Sequence, residues 1–190
     1  GVFFEENSSS EFTHNIISNN TGRYSVAGHY SKVTNFKYNI IADGLTRFGE
    51  KSINGSWTNN VFVGGLIGEL RFSSNNAHFS KNQILNSPGV EWNSPGIKIY
   101  GVNNSNSLHF SENLFSGNSS GYYLWLSETS DGQTYLSTTQ NSIINNDSGF
   151  YIKSGAENSS VENNWWGTTN ESEIQEMIYD WYDDSNLGFL

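Results

Sequence analysis

The chain has 190 residues, a formal net charge of −10 and no cysteine. Disulfides and thiolate metal sites are therefore excluded, and so negative a chain argues against nucleic acid or anionic membranes as partners. Asn, Ser and Gly dominate, aromatics are frequent and charged residues sparse, which fits one domain of strands broken often by turns rather than disorder.

In chain order, residues 1–10 read as an N-terminal arm or incomplete coil. The chain begins at Gly1 with neither an initiator Met nor a signal peptide, so a processed product or an excerpt of a longer protein is expected. Residues 11–168 then carry an internal repeat, the strongest signal present. FTHNII (Phe12–Ile17), FKYNII (Phe36–Ile41), WTNNVF (Trp57–Phe62), FSKNQIL (Phe79–Leu85) and FSENLF (Phe110–Phe115) share one pattern. Each has an aromatic residue, two spacers, an Asn and then apolar residues. Weaker copies surround Asn141 (TTQNSII) and Asn164 (VENNWW).

Most copies are followed by Gly (Gly22, Gly44, Gly64, Gly89, Gly121, Gly149 and Gly167), expected to supply the φ > 0 turn that redirects the chain. Short alternating apolar runs then resume, as in GYYLWL (Gly121–Leu126). A period of roughly 20–24 residues, longer before Asn113 and Asn141, suggests one coil of a parallel β-helix per repeat. The expectation is an all-β chain, a single-stranded parallel β-helix of about seven coils spanning residues 1–190 as one domain.

Stacking of equivalent positions predicts two ladders. Phe12, Phe36, Trp57, Phe79 and Phe110 would form an interior aromatic column. Asn15, Asn39, Asn60, Asn82 and Asn113 would bond coil to coil through their amides. Lys81 and Glu112 would face each other as an exposed pair of little worth. An antiparallel β-sandwich accounts for the strands and turns but not for a register held over so many units.

After the coils, residues 170–182 read as a capping α-helix, with a tail at 183–190. Ile174, Met177, Ile178, Trp181 and Tyr182 make one apolar stripe at helical period. Asn170 with Glu173 gives a reciprocal N-cap, and Glu171 and Glu173 suit the first turn.

Repeats such as QNSIINNDSGFYI (Gln140–Ile152) resemble those of right-handed parallel β-helix proteins, the superfamily with pectate-lyase-like and NosD-like domains. The ending ENNWWGTTNESEIQEMIYDWYDDSNLG (Glu162–Gly188) is similar to the last coil and closing helix of exported surface β-helix proteins of methanogenic archaea. The resemblance implies a right-handed coil and an extracellular or cell-surface location, and specifies no activity. In those relatives the Asn-Leu-Gly is usually followed by a further stretch with a Pro; here Leu187–Leu190 ends the sequence.

Polysaccharide lyases on this fold use acidic clusters for Ca²⁺ and an Arg or Lys as base. Arg47 and Arg71 can approach one another in stacked coils, yet no carboxylate cluster accompanies them in the repeat, and solvent-facing turn residues are expected. Glycoside hydrolysis needs paired carboxylates. The one adjacent pair, Asp183 and Asp184, lies beyond the rod; with Asp180 it is a weak candidate for Ca²⁺. His78 and His109 each precede a ladder aromatic, but no third metal ligand is evident and an exposed column is expected. No Ser/His/Asp order or phosphate-cradling Gly loop occurs. Of Trp165 and Trp166, a sugar-stacking platform in appearance, at least one is expected in the core.

Asn-x-Ser/Thr sequons at Asn7, Asn19, Asn54, Asn103, Asn118, Asn146, Asn158 and Asn170 permit N-glycosylation without requiring it. The reading is a non-catalytic structural or self-assembly domain (surface layer, sheath, filament or adhesin stalk) with no cofactor and no membrane span. A homopolymer is expected, joined through an uncapped N-terminal end or the tail Leu187–Leu190. The alternatives are a polysaccharide-active lyase or hydrolase and a non-catalytic glycan-binding module.

Overall fold

The computed structural model describes residues 1–4, 9–20, 24–29, 32–72, 77–87, 97–101, 107–119, 122–126, 135–154 and 160–185. Its strands follow a recurring order. The first tier supplies β1 (Val2–Phe4), β2 (Ser9–Thr13) and β3 (Ile16–Ile17), and the next β4 (Tyr24–His29), β5 (Lys32–Lys37) and β6 (Ile40–Ala42). Then come the long β7 (Leu45–Thr58) with β8 (Val61–Val63), followed by β9 (Leu66–Phe72), β10 (Ala77–Ser80) and β11 (Gln83–Leu85). After these lie β12 (Ile97–Gly101), β13 (Ser107–Ser111), β14 (Leu114–Ser116), β15 (Tyr122–Leu126), β16 (Tyr135–Thr139) and β17 (Ser142–Ile144). β18 (Phe150–Ser154), α1 (Glu171–Glu176) and β19 (Ile178–Tyr179) close the described chain.

Each strand pairs with its counterparts one tier before and after, and all pairings among the described residues are parallel. One sheet runs β3-β6-β8-β11-β14-β17; the other has 13 strands, its two columns joined because β7 pairs with β4 and β9 in its first part and with β5 and β10 in its second. The architecture is an all-β parallel solenoid. Consecutive tiers are the neighbours that satisfy each other's main-chain groups, so in-register side chains meet their own kind.

The interior follows from that register. Phe12, Phe36, Trp57, Phe79 and Phe110 are directly aligned from strand to strand. Their rings stack at centroid distances of 5.1, 4.3, 6.1 and 5.1 Å. The column then continues into a buried Thr138. A second inner column comprises Ile41, Phe62, Ile84, Phe115 and Ile143, with Trp166 buried beyond it.

The chain turns between strands through left-handed residues that are mostly not glycine. The residue before each ladder asparagine has positive φ: His14, Tyr38, Asn59, Lys81, Glu112, Gln140 and Asn163, all between 56° and 59°. A second set follows the short strands, where Asn19, Asp43, Asn86 and Asn145 share the conformation with Gly44, Gly64, Gly117 and Gly167. Gly44, Gly64 and Gly167 thus supply φ > 0 turns as expected, but non-glycine residues supply most of the others. Asn and Asp tolerate the left-handed region because their short side chains bond locally. Gly149 lacks positive φ; a Cβ there would press on the Trp166 ring at 2.6 Å, so it is small to admit that indole. Gly22, Gly89 and Gly121 lie outside the described residues. At Gly64 (φ +65°) a side chain brings strain and a 3.3 Å approach to Asp43 Oδ1, so Gly64→Ala is expected to lose about 1–2 kcal/mol, read from the urea midpoint.

The expected helix over 170–182 is also corrected. Only Glu171–Glu176 is helical, with Met177 as C-cap. The physical reason lies on β18: Gly149 N–H and Phe150 N–H both donate to Met177 O, at 2.9 Å each. Ile178 and Tyr179 then pair with Phe150 and Tyr151 as a parallel strand. Satisfying an open strand edge outweighs further helical turns in a segment too short to be helical alone. Ile174, Met177 and Ile178 still pack on the core, whereas Trp181 and Tyr182 of the expected stripe are exposed. The N-cap also differs in detail: Asn170 Oδ1 accepts from Ser172 N–H, and Asn170 Nδ2 donates to Glu173 Oε1.

Candidate functional site

The most ordered polar feature is a continuous, directional asparagine ladder. Asn15, Asn39, Asn60, Asn82, Asn113, Asn141 and Asn164 stand in successive tiers. In each link the earlier asparagine donates its backbone N–H and its Nδ2 to the Oδ1 of the next. The Nδ2–Oδ1 distances are 3.0, 3.0, 2.8, 3.1, 2.8 and 2.9 Å, although the residues linked are 24, 21, 22, 31, 28 and 23 positions apart. The second Nδ2 hydrogen goes to the main-chain carbonyl at the aromatic-column position one tier back: Phe12 for Asn39, Phe36 for Asn60, Trp57 for Asn82, Phe79 for Asn113 and Phe110 for Asn141. Asn39, Asn60, Asn82, Asn113 and Asn141 are buried, and this pattern satisfies both ends of each amide.

The ladder's two ends are unlike. Asn164 Nδ2 makes the usual bond one tier back, to Thr138 O, and also donates to Thr138 Oγ1 and Val161 O. Asn15 donates normally to Asn39 and to its own Thr13 O, but no protein donor reaches its Oδ1 among the described residues.

A shorter second ladder was not evident from sequence. Ser87 N–H donates to Asn118 Oδ1, and Asn118 N–H and Nδ2 donate to Asn146 Oδ1. Asn118 is buried, with Nδ2 also bonded to Ile84 O, and Asn146 Nδ2 bonds Phe115 O. A glycan on Asn118 would displace one of the two bonds its buried Nδ2 makes, so that sequon is structural; half-buried Asn146 uses one Nδ2 hydrogen. Asn19 and Asn170 are exposed. Asn7, Asn103 and Asn158 lie outside the described residues; Asn54 lies in β7.

On the outside, His78 and His109 are in register and stack at 5.0 Å with 15° between ring planes. His14 stacks on Tyr38 at 4.9 Å. Lys81 Nζ lies 3.7 Å from Glu112 Oε2, both side chains more than half exposed, so the pair adds little. Burial, and then the charge of His78, hold the His109 pKa below the ordinary 6.5. The unfolded chain therefore takes up this proton first as pH falls, so the His109 contribution to stability is full above about 6.5 and is lost toward the lower folded value. Acidification from pH 7.5 to 5.5 should lower the urea midpoint less in His109→Gln than in the parent, and His78→Gln should fall between them.

The strand register does not set Arg47 and Arg71 opposite one another. Arg47 sits opposite Ala27 on β4 and Arg71 opposite Tyr100 on β12; Arg23 lies outside the described residues. Asp180 is buried in a local turn, where Oδ1 accepts from Tyr182 N–H and its carbonyl from Asp183 and Asp184 N–H. Asp183 Oδ2 accepts from Asp180 N–H. That use of Asp180, Asp183 and Asp184 is structural, and among the described residues no group of three or more His, Asp or Glu is placed to hold a metal ion. Trp166 is core and Trp165 is 48 % exposed, with Tyr179, Trp181 and Tyr182 also exposed at this end. Among the described residues no helix is long and apolar enough to cross a membrane.

What the arrangement defines is a class, an all-β parallel solenoid with a polar spine and two dissimilar ends. No family model, curated protein or solved structure matches the chain.

Proposed function

We propose that the chain is a right-handed, single-stranded parallel β-helix of about seven coils. It serves as a non-catalytic structural and self-assembly domain at the cell surface or outside the cell, in keeping with its resemblance to exported surface β-helix proteins. The observation that carries this reading is the asymmetry of the ends. Among the described residues β1, β2 and β3 pair only with the following tier, and Phe3 and Ile16 beside their outer edges are 64 % and 75 % exposed. At the other end Trp166, Ile174, Met177 and Ile178 pack over the core. Unpaired strand edges beside exposed apolar side chains invite another strand to add. The N-terminal end is the joining face in this reading; the tail Leu187–Leu190 lies outside the described residues.

Sedimentation velocity and electron microscopy of the isolated chain test the reading. Concentration-dependent assembly into end-joined particles is the expected result; a stable monomer at the highest attainable concentration would overturn it. Exposed Trp165, Tyr179, Trp181 and Tyr182 favour, as a second reading, a glycan-binding module, since such rings stack on sugar faces. Retardation on a polysaccharide gel that Trp165→Ala abolishes would select it.

A further inference from the structure

The ladder's polarity specifies what the N-terminal end accepts. We propose that this end is a docking surface for one more parallel strand–turn–strand segment of the repeat's own kind, carrying aromatic-x-x-Asn. The inference rests on the N-terminal end being the joining face and names its partner's chemistry.

Three features of the first tier point the same way. In every later tier the Asn Oδ1 accepts both a backbone N–H and an Nδ2 hydrogen from the tier before, at 2.8–3.1 Å. Asn15 Oδ1 has the same orientation toward the N-terminal side and neither donor. Every later Nδ2 also reaches a main-chain carbonyl in the preceding tier, at the aromatic-column position. Asn15 makes only the in-turn bond to Thr13 O in that direction. Finally Phe12, first in the aromatic column, stacks on Phe36 on one side only; Phe4 meets it edge-on at 5.4 Å.

A segment with an Asn three residues after an aromatic supplies all of these at once: two donors for Asn15 Oδ1, a carbonyl for Asn15 Nδ2 and a ring above Phe12. Two copies meeting by their N-terminal ends would instead set acceptor against acceptor, leaving both Oδ1 atoms unmet.

The probe is a synthetic peptide of residues 32–42 (KVTNFKYNIIA), titrated into the isotopically labelled 190-residue chain and followed by NMR. Saturable shifts confined to residues 12–17 are expected, with a Kd of about millimolar or tighter. A peptide with Ala in place of its turn Asn should bind about tenfold more weakly, as should the Asn15→Ala chain. The Asn15→Ala chain should keep the parent amide spectrum outside residues 12–17, which separates a lost bond from a damaged fold. Absence of shifts, or equal binding of both peptides, would overturn the inference. So would self-dimerisation through the N-terminal end that Asn15→Ala leaves unchanged. Peptide binding by a chain that stays monomeric would sink only the self-assembly reading; assembly without peptide binding would sink only this inference.

Discussion

Replacing Asn82 by Ala should lower the unfolding free energy by about 3–5 kcal/mol, an effect in the extreme tail for one polar side chain. Asn82 is fully buried; its Nδ2 donates to Trp57 O, Ser80 O and Asn113 Oδ1, and its Oδ1 accepts from Asn60 N–H and Nδ2. Truncation leaves the Asn60 N–H and amide and the Trp57 carbonyl without partners in a place water cannot reach. Each such group costs about 1–3 kcal/mol, partly recovered by relaxation. Asn15→Ala deletes a chemically identical side chain at the open end and should cost about 1 kcal/mol or less, because solvent already serves its oxygen. Urea denaturation of both variants checks the gradient. Equal losses would mean that the side chains act singly rather than as a buried chain of bonds.

The aromatic column sets the second large effect. Trp57 is 1 % exposed and lies between Phe36 at 4.3 Å and Phe79 at 6.1 Å. Trp57→Ala should cost about 3–5 kcal/mol, through lost burial and the cavity left between two rings that the backbone ladder holds apart. Trp57→Phe should cost under about 2 kcal/mol, since phenyl rings already occupy this register in both adjacent tiers. Amide exchange adds a spatial check. Because each tier touches chiefly its neighbours, protection in Trp57→Ala should fall most in β5, β7 and β10 and least in β16 and β17.

What is legible in the sequence is whatever repeats. An aromatic three residues ahead of an Asn recurs because both side chains rest on their own counterparts, so stacking constrains their identity in every tier. The left-handed residue just before each Asn carries no such mark. His14, Tyr38, Lys81 and Glu112 share a backbone conformation while their side chains point outward, leaving type nearly free. Asn118 and Asn146 were legible in principle, since each follows its anchor, Asn113 or Asn141, at one and the same interval. Ser120 and Ser148 also complete a sequon with them, a pattern that points to the surface rather than the interior. The end of α1 was hidden for a different reason. Ile174, Met177 and Ile178 satisfy a helical stripe, but the edge of β18 that claims Ile178 is a property of the fold and is written nowhere near residue 178.

The insensitivity of the asparagine links to sequence separation has a practical side. Partners 31 positions apart meet with the same geometry as partners 21 apart, so the register tolerates length variation in the connections between tiers. Closing a longer loop costs only about 0.6 kcal/mol per doubling of its length. A connection between tiers is then a natural port for grafted epitopes or reporter tags: a scaffold with fixed pitch onto which foreign sequence can be hung without retuning its interior.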